Sequence, residues 1–427
     1  MLHQTSSELH GSVRLRDHKS RFIQYGSPWV YSNELARADT TIKAGSLVCL
    51  ESDQGKTLGV GYYNPHSLIA FRLLERASSA VEWTADHFES LISRRLESAL
   101  QLRLNVYRDR INSGEMGSYS FRLCYGESDF LPGFVIDLYE TSKSCAAVIQ
   151  CHAAGADHFL TPTIRWLQKK WNPEMIVIKN DLDVRDREQA VRYTEVIGNR
   201  STETFVKDNG VEFVVDAIGG QKTGYFYDHR ENRRQFNAVT QNRFAEKNIT
   251  VIDLFSYVGA WSLPILKRSK HAKLVAIDDS STALLYLKES AKRSGLNERV
   301  ETIKLDLMAV SDFKGAFGGL TNDMHRVVVC DPPAFSNSAK QKTQSLKAHN
   351  KCFEWAAKLT SEESLLALAS CSYHMSNEEF LMVCRDAIAA AKQAPLRHFY
   401  TGTQGFDHPV LSSLPESHYL KAALFTD

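Results

Sequence analysis

The sequence predicts a three-part α/β protein: a small β barrel, an α+β middle domain with a linking β-hairpin, and a C-terminal domain on a mostly parallel sheet. Three observations carry this. At roughly 150 residues per domain, 427 residues imply two or three domains. Short strands with turn punctuation fill the chain up to residue 76. From about residue 235, helices alternate with buried strands, the pattern of a parallel sheet covered on both faces. Hydrophobic residues at 43% and charged ones at 24% are ordinary for a folded chain, which excludes wholesale disorder and fibrous repeats. The net charge is +1, so a polyanion would have to be met by a local basic patch.

No apolar run approaches the roughly 18 residues that span a bilayer, and the polar start Met1-Leu2-His3-Gln4 lacks a signal-peptide apolar region. A cytoplasmic protein with no membrane partner is expected. The eight cysteines are scattered without a C-x-x-C pair, so no metal is expected, and a special cysteine would be special for its reactivity.

The barrel, residues 10–76, is punctuated by Gly26-Ser27-Pro28, Gly45, Asp53-Gln54-Gly55-Lys56 and Asn64-Pro65 between runs such as Ser46-Leu47-Val48-Cys49-Leu50. Arg14, Arg16, Lys19 and Arg21 precede Tyr25, Trp29 and Tyr31, a mixture suited to phosphate contact and base stacking. A solvated edge over aromatic core residues is the competing reading. In the middle domain, residues 77–198, Phe88, Leu91, Ile92, Leu96 and Leu100 recur at helical spacing and predict a helix over 84–105. Strands are expected at 121–124, 134–138, 146–150 and 175–178, with a helix around 161–170. Residues 199–217 form a linking hairpin, because Asp208-Asn209-Gly210 supplies the positive φ of a tight turn.

The C-terminal domain, residues 218–427, has buried-strand runs at 250–254, 273–277, 300–303, 327–330 and 365–369. In such sheets ligands bind beyond the strand C-termini. The first strand carries Asp253 and runs into Phe255-Ser256-Tyr257-Val258-Gly259-Ala260, a one-glycine turn before a helix. Backbone N–H groups there suit a ligand carboxylate and Asp253 suits an ammonium, the two ends of the amino-acid part of S-adenosylmethionine. Absence of G-x-G-x-x-G argues against a dinucleotide. Asp278 ends the second strand where ribose hydroxyls would be held, with a helix start as the alternative. Asp306 follows the third, placed for an adenine amine or as a turn residue. The fourth ends in Asp331-Pro332-Pro333-Ala334-Phe335, a stiff loop offering an acid and a ring to a planar base. The fifth ends in Ser370-Cys371-Ser372, facing the same crevice, although most free cysteines are buried and inert.

In this order the motifs resemble a family: the class I S-adenosylmethionine-dependent methyltransferases of 23S ribosomal RNA with an N-terminal PUA domain, which make 5-methylcytidine. The resemblance covers most of the chain. It includes Pro28-Trp29-Val30-Tyr31-Ser32, Gly126-Glu127-Ser128-Asp129-Phe130-Leu131-Pro132-Gly133 and the most specific stretch, Gly219 to Arg233 with Tyr225-Phe226-Tyr227-Asp228-His229-Arg230. Asp407-His408-Pro409-Val410 and Pro415-Glu416-Ser417-His418-Tyr419-Leu420-Lys421 look like its closing segment. The resemblance implies a PUA-like barrel, a Rossmann-like methyltransferase domain, and RNA, specifically 23S ribosomal RNA, as partner. It carries cofactor contacts onto Phe226, Arg230, Asp253, Ser256, Asp278, Asp306 and Asp331, beside the turn residues Phe255, Tyr257 and Gly259, and the nucleophile onto Cys371. The chain departs from the pattern at Ala260, where a second glycine is usual, at Val258 for a threonine, and at 361–364, which lack a glycine pair; the Ala260 β-carbon is expected to crowd the cofactor turn.

Cytosine C5 is a weak nucleophile, so a thiolate adding at C6 would activate it, with Cys371 as that thiolate and Asp331 hydrogen-bonding the base near N3. Pro332, Pro333 and Phe335 would contact an unstacked base. An RNA methyltransferase acting on a purine amine or ring nitrogen, and an RNA-binding assembly factor with a degenerate site, are the alternatives.

Overall fold

The computed structural model describes residues 8–37, 39–76, 83–320, 325–335, 341–392 and 395–427. Each of the three parts builds its own sheet. The first contains β1 (Ser12–Arg14), β2 (Trp29–Tyr31), β3 (Ser46–Glu51), β4 (Thr57–Tyr63) and β5 (Ile69–Arg76), in the order β1-β3-β4-β5-β2. Side chains alternate along these strands, so Val48, Leu50, Tyr63 and Phe71 fill the barrel core. Their neighbours Leu47, Tyr62 and Leu74 face the other way and pack into the middle domain. That second apolar face seats the barrel.

Thr84 caps the helix Ala85–Asn112, its hydroxyl accepting from the His87 amide. The helix outruns the expected end at residue 105 because Arg103, Tyr107 and Arg110 continue its buried face with polar tips. The middle sheet follows: β6 (Arg122–Tyr125), β7 (Phe134–Glu140), β8 (Cys145–Cys151), β9 (Met175–Asn180), β10 (Tyr193–Gly198), β11 (Thr204–Asp208) and β12 (Val211–Val215). Its order is β10-β9-β8-β7-β11-β12, with β6 on β7. Asn209 at φ 50° and Gly210 at φ 79° make the tight turn between β11 and β12. This hairpin touches both neighbours: β11 extends the middle sheet beside β7, and the Val214 amide donates to Ser290 Oγ on a C-terminal helix at 2.9 Å.

The C-terminal sheet contains β13 (Ile249–Leu254), β14 (Ala272–Asp278), β15 (Val300–Lys304), β16 (His325–Cys330), β17 (Glu363–Ser370), β18 (Arg397–Gly402) and β19 (Lys421–Thr426). The order is β15-β14-β13-β16-β17-β19-β18. The first five strands are parallel, as the apolar runs predict, while β19 and β18 close the edge antiparallel. One face packs through Val251, Val327 and Leu365, the other through Ile252, Val328 and Leu366. From β13 the chain moves outward to β14 and β15, then returns to β16 on the other side, so a crevice opens beyond the ends of β13 and β16. Among the described residues no helix is long and apolar enough to cross a membrane.

Candidate active site

Asp253 lies within β13 at 1% exposure, and neither carboxylate oxygen meets a partner at hydrogen-bond geometry. Burial pushes it up to about 7 against the pull of the Ser262 hydroxyl, and the charges of Asp331 and Asp278 add to the rise. The chain then turns through three left-handed residues, Phe255 (φ 62°), Tyr257 (φ 47°) and Gly259 (φ 77°). Gly259 is required: its φ strains any side chain, and a β-carbon would lie 3.0 Å from Leu287. The Ser256 amide donates to the Ile277 carbonyl at 3.1 Å while its buried hydroxyl has no partner. The Tyr257 amide donates to Asp278 Oδ2 at 2.8 Å, and its ring stands 5.3 Å from Phe226, nearly perpendicular. Phe226, Ser256, Tyr257 and Asp278 are thereby gathered around one turn.

Several expectations need correction. The helix after this turn starts only at Leu263 and has six residues, so a ligand carboxylate would meet the turn backbone instead of a helix N-terminus. Ala260 packs into the apolar core beneath the turn, where its β-carbon was expected to crowd the cofactor. Arg230 has no accessible surface with which to touch a cofactor: its guanidinium donates to Asp208 at 3.1 Å, to Asp407 at 3.3 Å and to the Ser120 carbonyl. Asp306 is exposed and caps a short turn by accepting from the Met308 amide at 2.9 Å, the turn reading of that residue. Asp278 has both oxygens engaged by backbone amides, Tyr257 and Ser280, and the next helix is capped by Ser280.

Asp331 follows β16. Its Oδ2 accepts from Trp261 Nε1 at 3.0 Å, and its Oδ1 lies 3.6 Å from His229 Nε2. Asn232 Nδ2 donates to His229 Nδ1 at 3.1 Å, which leaves the ring proton on Nε2, facing Asp331. Pro332 is buried and Pro333 exposed. Phe335 is not an exposed tip: the ring is half-buried and meets His349 edge-on at 5.0 Å, on a backbone with φ 50°. Cys371 follows β17 and is half-buried. Burial pushes its thiol up, Lys222 pulls it down, and Asp331 and Asp228 add to the rise, so these groups converge on the sulfur from separate segments. Beside it, Tyr373 lines a cavity of about 300 Å³ with Trp29 of the barrel and Tyr125 and His152 of the middle domain.

Sequence reasoning missed His229, Trp261, Asp228 and Lys421 as site residues. Asp228 and His229 stand inside the stretch from Gly219 to Arg233 and Lys421 ends the closing segment, while Trp261 directly follows the cofactor turn; a histidine after an aspartate in the most specific stretch was a readable signal. Asp228 is nearly fully buried; burial would raise it, but His229, His408, Lys222 and the Tyr419 hydroxyl hold it well below the usual carboxylate range.

The buried Asp253 carboxylate, the unpartnered Ser256 hydroxyl and the Phe226 and Tyr257 rings beside Asp278 suit a ligand with an ammonium, a carboxylate and a nucleoside. Residues 13–76 match the family described as PUA-like domain, and residues 204–330 match the TRM5/TYW2 methyltransferase domain. A structure from Streptococcus mutans described as that of a SAM-dependent methyltransferase shares the fold, with TM-score 0.74 and 16% identity over 97% of this chain and 100% of that one. Fold and site together define a methyltransferase with a PUA-like domain. The chain is 30% identical to ribosomal RNA large subunit methyltransferase I of Alteromonas mediterranea, covering 96% of this chain and 97% of that protein. It is 29% identical to the protein of the same name from Pseudoalteromonas translucida, covering 97% and 98%. The chain belongs to the ribosomal RNA large subunit methyltransferase I family.

Proposed function

We propose that this protein methylates C5 of a cytosine in 23S ribosomal RNA, with Cys371 adding to C6 of the base. The observation that carries the reading is the place of Cys371. Six of the eight cysteines are buried; Cys371 and Cys49 are half-buried, and Cys371 follows a strand of the sheet whose C-terminal edge carries Asp253 and Asp331. The relatives' name, ribosomal RNA large subunit methyltransferase I, supports the substrate class.

Asp253 would hold the cofactor's ammonium, Ser256 and the turn backbone its carboxylate, and Asp278 with Phe226 and Tyr257 the nucleoside. S-adenosylmethionine supplies an electrophilic methyl group when bound there. Cys371 Sγ forms a bond to C6, which places the electron pair of the C5–C6 double bond on C5 and makes that carbon nucleophilic. Asp331 accepts from the base near N3 and stabilises the protonated adduct, while Trp261 keeps its carboxylate oriented. Loss of the C5 proton and cleavage of the Sγ–C6 bond restore the aromatic ring and release the thiol. Pro332, Pro333 and Phe335 would hold the base, and the cavity beside Tyr373, with rings from all three parts, would take the adjoining RNA.

Nucleoside mass spectrometry of large-subunit RNA from cells with and without the protein tests this. Loss of a 5-methylcytidine is the expected result; loss of a methylated purine in its place overturns it.

A further inference from the structure

Lys421 opens β19 directly opposite Ser370, the last residue of β17, so the register sets it beside the start of the Cys371 loop. It is 4% exposed, and its ammonium donates to the Ser372 carbonyl at 2.6 Å and the Tyr419 carbonyl at 2.7 Å. The carboxylate facing it, Glu379, is paired with Lys342 at 2.7 Å, and among the described residues no ion pair joins Lys421 to an acid. A buried ammonium held only by carbonyls is costly to keep charged. Burial accordingly pushes it down to about 8, and the Cys371 sulfur and Glu379 oppose that fall.

The other charged groups around the pair do not supply what a thiolate needs. Asp331 and Asp228 oppose a negative sulfur, and Lys222, which favours it, is exposed and screened by solvent. His349 and His418 also face Lys421, and its charge holds both below the ordinary imidazole value alongside their own burial. Among the described residues Lys421 is the buried cation held at this loop, its ammonium on the carbonyl of Ser372, the residue after the sulfur.

Building on the reading of Cys371 as nucleophile, we propose that Lys421 is a positioning residue whose ammonium stabilises the Cys371 thiolate and whose two carbonyl bonds fix the loop that carries it. The Sγ–H bond breaks, the proton leaves to solvent and the electron pair stays on sulfur, opposite the Lys421 charge. The same charge eases departure of sulfur from C6 at the end of the reaction, because the leaving group is again the thiolate.

The test is alkylation of Cys371 by iodoacetamide in the full-length protein between pH 6 and 10, read by mass spectrometry of the Cys371 peptide. In Lys421→Gln the midpoint should rise by about one unit, so alkylation at pH 7 should slow about tenfold. Lys421→Arg, which keeps the charge, should stay near wild type. An unmoved midpoint in Lys421→Gln, or a rise in Lys421→Arg as large as in Lys421→Gln, overturns the proposal. Should Lys421→Gln fail to fold, the reciprocal measurement decides: by NMR of ¹⁵N-labelled lysine, the Lys421 midpoint should fall in Cys371→Ala, and no change there overturns the proposal. Neither readout involves methyl transfer. Transfer retained in Cys371→Ala therefore removes the nucleophile reading and leaves the ion pair to be judged by its own titration.

Discussion

At residue scale, Asp253 shows what the proposed cofactor site costs the empty protein. Its carboxyl titrates at about 7 when folded against an ordinary value of 3.8, so between those values the folded state holds a proton that the unfolded chain has lost. Stability of the cofactor-free protein therefore falls as pH rises through that window and is level above it. Cofactor affinity runs the other way, because the ligand ammonium needs the carboxylate: it should strengthen from pH 6 to pH 8, as calorimetry at the two values would record. Asp253→Asn should weaken cofactor binding at least tenfold while raising the melting temperature of the empty protein at pH 8. Cys371→Ala should abolish transfer in a single-turnover assay with labelled cofactor and leave cofactor affinity near wild type. The place of Asp253, Asp331 and Cys371 at one edge of the sheet was legible because each sits at the end of an apolar run, where sheet topology says which way the chain faces. Arg230 was misread because a place in a motif does not say where a long side chain goes: it lies in a motif with Phe226, yet is buried against Asp208 and Asp407.

At the scale of elements, continuous apolar runs gave away four parallel strands, β13, β14, β16 and β17, since strands covered on both faces have little polar alternation to blur them, while the edge strand β15 rested on the β-branched Val300, Thr302 and Ile303. The edge strands β10 and β18 went unread because polar residues interrupt them: Thr194 splits Tyr193 from the short pair Val196-Ile197, and Arg397 and His398 face solvent. β19 also went unread, because Ala422-Ala423-Leu424-Phe425 is an apolar run with no following helix to mark it. The hairpin turn shows local chemistry at work. A β-carbon on Gly210 would meet nothing within 4 Å, so the cost of Gly210→Ala is conformational alone, from its φ of 79°. Chemical denaturation should report a loss of about 1 kcal/mol.

For the whole molecule, motifs without obvious chemistry turn out to join the three parts. Glu127 accepts from Trp29 Nε1 at 2.7 Å and from Arg72 at 3.0 Å, tying the barrel to the middle domain. Arg21 of the barrel pairs with Glu416 of the closing segment at 2.7 Å, so part of the cation and aromatic cluster suited to RNA holds domains together. Asp407, fully buried, accepts from the Tyr107 hydroxyl, the Arg122 amide and Arg230, three different segments. Such contacts bridge hundreds of residues and leave no local pattern. Asp407→Ala leaves the buried Arg230 with Asp208 as its carboxylate partner and strips the Tyr107 hydroxyl and Arg122 amide of their acceptor, and should cost about 3 kcal/mol, seen as a lowered urea midpoint. The joined parts would present one crevice to RNA, and covalent capture of the pyrimidine by Cys371 there has a direct measurement. Large-subunit RNA carrying 5-fluorocytidine has no C5 proton to lose, so incubation with the protein and S-adenosylmethionine should leave a denaturation-resistant RNA–protein complex whose linked peptide contains Cys371. Methylation of unsubstituted RNA without any such complex, or an equal yield of complex from Cys371→Ala, would contradict the account.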